Sequence, residues 1–202
     1  MNFQIHLSIA NALKDIIEEE LSIKVNRPAF FYGSVKPDLF PNIITASHEI
    51  KYSKEFIENE VKNLLQESIV NMECSWKFSE TLGIIMHYLS DFFCYAHSEF
   101  YKGSMWEHYC YEVKHSKYFI KNFRLIIRNI RKADNIYLDL NCFKIYIEQQ
   151  YENYISKSPS AARDLIYSLK ICSTISLSII ASVSNEFQEK KNNKENILLH
   201  SA

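Results

Sequence analysis

Between residues 79 and 97 the chain reads SETLGIIMHYLSDFFCYAH, apolar nearly all round a helix yet carrying His87 and Asp91 within it. A helix with no polar face has to be contacted on several sides, so the rest of the chain must supply packed neighbours. Composition makes those neighbours helical. Gly occurs three times and Pro four in 202 residues, while Leu, Ile, Lys, Glu and Ser are frequent, which leaves few turn-formers. With 47% hydrophobic residues, a chain of this length buries one sizeable core and fits one domain better than two. The expected fold is all-α, a single-domain multi-helix bundle around the 79–97 segment.

Apolar periodicity places the other helices. Ile9, Leu13, Ile16, Ile17 and Leu21 recur at helical spacing and predict a first helix over about 6–23. RPAFFYGSVKPDLFPN gathers one Gly and three of the four Pro residues, so a loop carrying Asp38 is expected over about 27–42. Thr45 or Ser47 is suited to cap a short helix bearing His48, and Ser53 with residues 55–66 reads as a further amphipathic helix. A turn at 102–104 precedes a long helical pattern over 105–132, in which one break is allowed. A connection over 133–140 leads to helices over 141–156 and 160–187, the latter capped by Ser160. The folded unit is therefore expected over 1–187, with a polar, flexible tail over 188–202 that includes EKKNNKEN. The longest apolar run, 171–183, is shorter than the ~20 residues that span a bilayer and reads as a core helix.

A formal net charge of −1 provides no global drive toward nucleic acid or an anionic membrane. Cys74, Cys94, Cys110, Cys142 and Cys172 are odd in number, lie in apolar segments and form no CxxC pair. They read as reduced packing residues, and with no visible export signal in residues 1–9 a cytoplasmic location is expected.

His87 and Asp91 stand four apart, so both project from one helical face and can close on one metal ion. His108 and Glu112 repeat the spacing. Two such pairs are close to what chance provides for seven His and 24 Asp plus Glu, and a buried histidine hydrogen-bonded to a carboxylate is the bland alternative for each. Placement adds more. Asp91 among Leu89, Phe92 and Phe93 carries a large desolvation cost unless it is paired or metal-bound. His97 lies six residues further on, about 240° around and ~9 Å along an ideal helix, so it suits a neighbouring ion unless the helix bends.

The order His6, Asp38, His48, His87-x3-Asp91-x5-His97, His108-x3-Glu112, with the stretches FFYGSVKPDLFP, LGIIMHYLSDFFCYAH and HYCYE, resembles the zinc-dependent phospholipase C family. The superfamily of that family includes the S1/P1 nucleases. The resemblance covers residues 1–112 by motif and the remainder by helical character. It implies a buried cluster of up to three zinc ions. Asp38, His48, His87 and Asp91 would hold one. Asp91 would bridge to another, held also by His6, and the remaining ion would take His97, His108 and Glu112. Bridged ions generate a hydroxide near neutral pH and clamp a phosphate, which is phosphoester hydrolysis. Asp38 is the implied catalytic residue, orienting or deprotonating the water.

In that family an N-terminal Trp commonly contributes its amino group and carbonyl to the bridged site. Met1 stands five residues before His6, and its amine is the expected equivalent ligand. Aromatic residues that accept choline in phosphocholine-cleaving members are replaced by Leu39 and Thr45, which argues against phosphatidylcholine specificity. The leading reading is thus cleavage of the glycerol-side phosphodiester of a phospholipid, with peripheral membrane contact as an option and no protein partner inferred. A nuclease or nucleotidase using the same metals is the alternative. A non-catalytic, metal-stabilised helical binding module is the third, and it is disfavoured because a structural site needs no open position. Lys117, Lys121, Arg124, Arg128 and Arg131 form a basic stripe with Ile120, Phe123, Ile127 and Ile130 assigned largely to the other side. The stripe reads first as a solvated face, and second as a contact for anionic lipid or nucleic acid. His115 and His200 fit no motif and are assigned to the surface, and Trp106, near His108, is the expected pocket wall.

Overall fold

The structure, a computed structural model, describes residues 1–40, 47–132 and 139–200, with side chains described throughout except at 129, 131, 132 and 185–200. Seven α-helices occur among the described residues and no strand does: α1 (Phe3–Leu21), α2 (Arg27–Leu39), α3 (Ile50–Leu64), α4 (Trp76–Phe92), α5 (Met105–Lys132), α6 (Phe143–Ile155) and α7 (Ala161–His200). The all-α expectation holds, and α4 lies at the centre, packed by α1, α2, α3 and α7.

Local caps explain most of the starts. Asn2, Asn26 and Ser75 accept hydrogen bonds from Ile5 N, Ala29 N and Phe78 N, and the Ser160 hydroxyl accepts from Arg163 N, so the first orphan amides of α1, α2, α4 and α7 are satisfied. Ser22, in the left-handed region at φ 55°, closes α1. α5 runs unbroken through 105–132.

The expected loop over 27–42 is instead helix α2 as far as Leu39. Its turn-formers serve other ends. Pro28 occupies the first turn, where its missing N–H costs nothing. Gly33 meets α4 so closely that an added Cβ would run into the carbonyl oxygen of Glu80, and Gly83 meets Phe30 and Ser34 in the same way. The two glycines let α2 and α4 pack backbone to backbone. Pro37 stands in the last turn, which Phe40 N still closes on Lys36 O at 2.9 Å. Asp38 therefore projects from a helix end held against α4.

Of the two helices expected after residue 45, the amphipathic one is α3, and the short one bearing His48 does not form among the described residues. His48 precedes α3 in irregular chain, where the Ser47 hydroxyl accepts from Glu49 N and the buried Ser53 hydroxyl donates back to the Ser47 carbonyl. Thr45 lies outside the described residues.

α4 ends at Phe92, short of the predicted 97. The chain tightens, with Cys94 N on Asp91 O at 3.0 Å, into a 3₁₀ turn over Tyr95–His97. Ser168 of α7 donates its hydroxyl to the freed Ser90 carbonyl at 3.0 Å. α7 itself continues past 187, the predicted end, to His200. Its Ala161–Ser184 portion is long and apolar enough to cross a membrane by length and composition, but 72% of its most apolar 18-residue window is buried, as a core helix requires.

Four residues are placed differently from expectation. His115 is buried, because α5 turns it inward between Tyr111 and Phe119. Ile120 is 72% exposed on the same side as the cations Lys117, Lys121, Arg124 and Arg128, all of them exposed. Cys142 is exposed, unlike buried Cys74, Cys94 and Cys172. Trp106 is 70% exposed and stacks on Tyr109 rather than walling the cavity described below. The side chains of Arg131 and His200 lie outside the described ones.

Candidate metal centre

All eight His, Asp and Glu residues of the ordered set converge around Asp91. They form four overlapping groups, His6/His87/Asp91, Asp38/His48/His87, His48/Asp91/His97 and His97/His108/Glu112, in each of which the candidate ligand atoms lie within 4.8 Å of one another. Six separate parts of the chain supply them: α1, the end of α2, the chain before α3, α4, the 3₁₀ turn and the start of α5.

Asp91 is fully buried, and its two oxygens face different partners. Oδ2 lies 2.6 Å from His48 Nδ1 and 3.5 Å from His87 Nε2. Oδ1 pairs with the Met1 main-chain nitrogen and lies 3.4 Å from His6 Nε2 and 3.8 Å from His97 Nε2. A carboxylate so placed can bridge two cations. The break after Phe92 removes the obstacle that an ideal helix would set: His97 swings back and stands 3.4 Å from Glu112 Oε1, as does His108 Nε2.

The imidazole tautomers follow from hydrogen bonds behind the rings. His87 Nδ1 donates to the Ser34 carbonyl at 2.9 Å, leaving Nε2 bare. That nitrogen faces Asp91 Oδ2, Asp38 Oδ1 at 3.6 Å and His48 Nδ1 at 3.3 Å. The Ser90 hydroxyl gives its proton to the His87 carbonyl at 2.8 Å, so it accepts from His6 Nδ1 at 3.1 Å. His6 Nε2 is then bare too, and it faces the Met1 carbonyl oxygen at 3.0 Å together with Asp91 Oδ1.

Lone pairs thus point at lone pairs inside a buried pocket. That arrangement is repulsive without a cation and is a coordination set with one, so the residues fit zinc, which takes imidazole nitrogen and carboxylate oxygen. Protonation agrees. Burial, with His6 adding to it, holds His87 well below the usual imidazole range. Burial opposes the Asp91 charge, yet His97, the Met1 amino group and His6 outweigh it and hold the carboxyl well below its usual range. Burial likewise opposes the Glu112 charge, but its hydrogen bond from His97 and the Met1 amino group bring its pKa down to about 2. A neutral His87 beside ionised Asp91 and Glu112 is the state in which ligands bind metal. At His48 burial is outweighed by the hydrogen bond to Asp91, which raises its pKa, so a metal ion would displace a proton there.

Asp38 differs. Burial raises its pKa, His6 offsetting part of the shift, and it is the most exposed carboxylate of the set. Its carboxylate oxygens lie 3.6 Å from His87 Nε2 and 4.0 Å from His6 Nε2. A cavity of about 460 Å³ opens over His48, His97 and His108, walled by Glu49, Ser98, Tyr101, Ser104 and Met105. Tyr101 packs edge-on to His108 at 5.7 Å and is the aromatic ring in that wall. Leu39 is exposed and contributes no ring face.

Sequence reasoning missed the residues that orient the ligands. Ser90, a polar residue in an apolar helix, was visible as a signal. The Ser34 carbonyl was not, because only tertiary packing aims it.

A family model described as zinc dependent phospholipase C matches residues 5–161. No curated protein and no solved structure shows a significant match to the chain.

Proposed function

Because the chain belongs to the zinc-dependent phospholipase C family, whose model covers most of its length, we propose that it cleaves the glycerol-side phosphodiester of a phospholipid, giving diacylglycerol and a phosphorylated headgroup. At the coarser level it is a zinc phosphoester hydrolase, with zinc as its cofactor. The observation that most supports the reading is the Asp91 carboxylate, which faces a separate set of donors through each oxygen.

Asp38, His48, His87 and Asp91 Oδ2 would hold one ion. Asp91 Oδ1, His6 and the main-chain nitrogen and oxygen of Met1 would hold a second, and His97, His108 and Glu112 a third. Zinc in such a cluster lowers the pKa of bound water and neutralises charge on phosphate oxygens. The protein's own part is positional. Ser34 and Ser90 fix the rings of His87 and His6, and burial of Asp91 keeps bulk water from one side of the cluster. Asp38, the most exposed carboxylate of the set, orients the attacking water or takes its proton. The cavity over His48, His97 and His108 would receive the phosphate and headgroup.

The test is hydrolysis of phospholipid, single-stranded nucleic acid and a generic phosphodiester, each with zinc and with chelator. Chelator-sensitive release of a phosphorylated headgroup is the expected result. Cleavage of nucleic acid alone would reassign the substrate, and a fully metallated protein inert on all three would overturn catalysis.

A further inference from the structure

We propose that Asp164 is a positioning residue for the His97, His108 and Glu112 donor group, holding it from behind through Tyr95 and Tyr111. The proposal rests on the zinc assignment above and adds to it a residue from a helix that contributes no candidate ligand.

Asp164 stands in the first turn of α7 with its side chain fully buried. Among the described residues no Lys or Arg forms an ion pair with it. Its nearest basic group is His115 Nε2 at 3.7 Å, and that ring has no hydrogen-bond partner at either nitrogen. A lone buried carboxylate is a costly way to fill space, and an apolar side chain would do it more cheaply. The carboxylate is instead used three times. Oδ2 accepts from the Tyr111 hydroxyl at 2.6 Å and from Tyr95 N at 3.2 Å, while Oδ1 accepts from the Tyr154 hydroxyl at 2.8 Å.

Two of those donors adjoin the metal centre. Tyr95 opens the 3₁₀ turn whose last residue is His97. Tyr111 directly precedes Glu112 and lies three residues past His108 on α5. One carboxylate oxygen therefore ties together the two elements that present this donor group. Loss of that acceptor would leave a half-buried amide and a half-buried hydroxyl unpaired and free the turn to shift against α5. His87 and Asp91 have other anchors on the same helix: Ser168 donates to the Ser90 carbonyl at 3.0 Å and Cys172 to the Met86 carbonyl at 3.5 Å. The influence of Asp164 is accordingly selective for one ion.

The experiment compares zinc affinities of wild type, Asp164→Asn and Tyr111→Phe by competition with a chromophoric chelator, with cobalt absorption as a second reading. The melting temperature of the metal-free proteins is measured alongside. Asp164→Asn keeps the shape but sets an amide N–H₂ against donors. One ion should weaken by ~10- to 100-fold, the range for outer-shell partners, with the others held within about twofold. Tyr111→Phe should weaken the same ion by less. Unchanged affinity in both variants, or equal weakening of every ion, overturns the proposal. If Asp164→Asn does not fold, Tyr111→Phe decides by the same criterion. A wild-type chain that binds no zinc would instead sink the functional reading beneath it.

Discussion

His48 Nδ1 lies 2.6 Å from Asp91 Oδ2, while the other oxygen of that carboxylate faces Met1 and His6. A single side chain at the centre of α4 thus joins segments 43 and 90 residues away in sequence. Asp91→Asn keeps the volume and removes the charge. Zinc binding and phosphoester hydrolysis should fall together, by more than the ~10–100-fold typical of outer partners. Full activity in that variant, measured with added zinc, would refute the bridging role.

Met1 presents both main-chain atoms to the cluster, the carbonyl oxygen to His6 and the nitrogen to Asp91 and to His97 Nε2 at 2.6 Å. Placing residues ahead of Met1 turns that nitrogen into an amide, which cannot act as an amine ligand. Occupancy of the second ion should drop, read as zinc per chain by elemental analysis. Unchanged stoichiometry and activity in the extended protein would eliminate Met1 from the ligand set.

Gly33 is where α2 touches α4, and Asp38 is carried on the same helix five residues later. Gly33→Ala forces its Cβ against the Glu80 carbonyl, a backbone atom that cannot step aside. Overpacking of this kind costs about 1–3 kcal/mol, to be read by chemical denaturation. Activity should fall further than stability alone explains, since Asp38 moves with α2. Wild-type stability in the variant would show that the two helices have slack.

His115 gives the fold an acid-labile component. Burial, with the Met1 amino group adding, lowers its pKa from 6.5 to about 3, so it stays neutral in the folded protein over a range in which the unfolded chain takes up a proton. Stability from this group is complete above pH 6.5 and is lost as pH falls from there toward 3, at up to ~1.4 kcal/mol per pH unit. His115→Phe also removes two unpartnered ring nitrogens. Denaturation of metal-free protein at pH 7 and pH 4 should show a smaller difference for the variant than for wild type. An equal difference would mean that His115 is hydrated or charged in the folded state.

Much of the site was legible because ligand order survives in sequence where distance does not. The helices α1, α3 and α5 announced themselves by periodicity, and His87 and Asp91 by their apolar surroundings. α2 was hidden because Pro28, Gly33 and Pro37 carry the marks of a loop while serving a helix start, a close crossing and a helix end. The stop of α4 was hidden for a different reason. Residues 93–96 continue its apolar pattern, and what receives the turned chain, Asp164 and Ser168, lies 69 and 75 residues away. His115 could have been found: Tyr111 and Phe119 flank it at helical spacing on the inward face of α5.

The central claim is a zinc cluster organised on Asp91, and metal content per chain tests it most directly. Protein saturated with zinc and freed of excess ion should hold up to three zinc ions per chain by elemental analysis, with Asp91→Asn markedly depleted. Less than one ion per wild-type chain, or an Asp91→Asn protein with the full complement, would contradict the account.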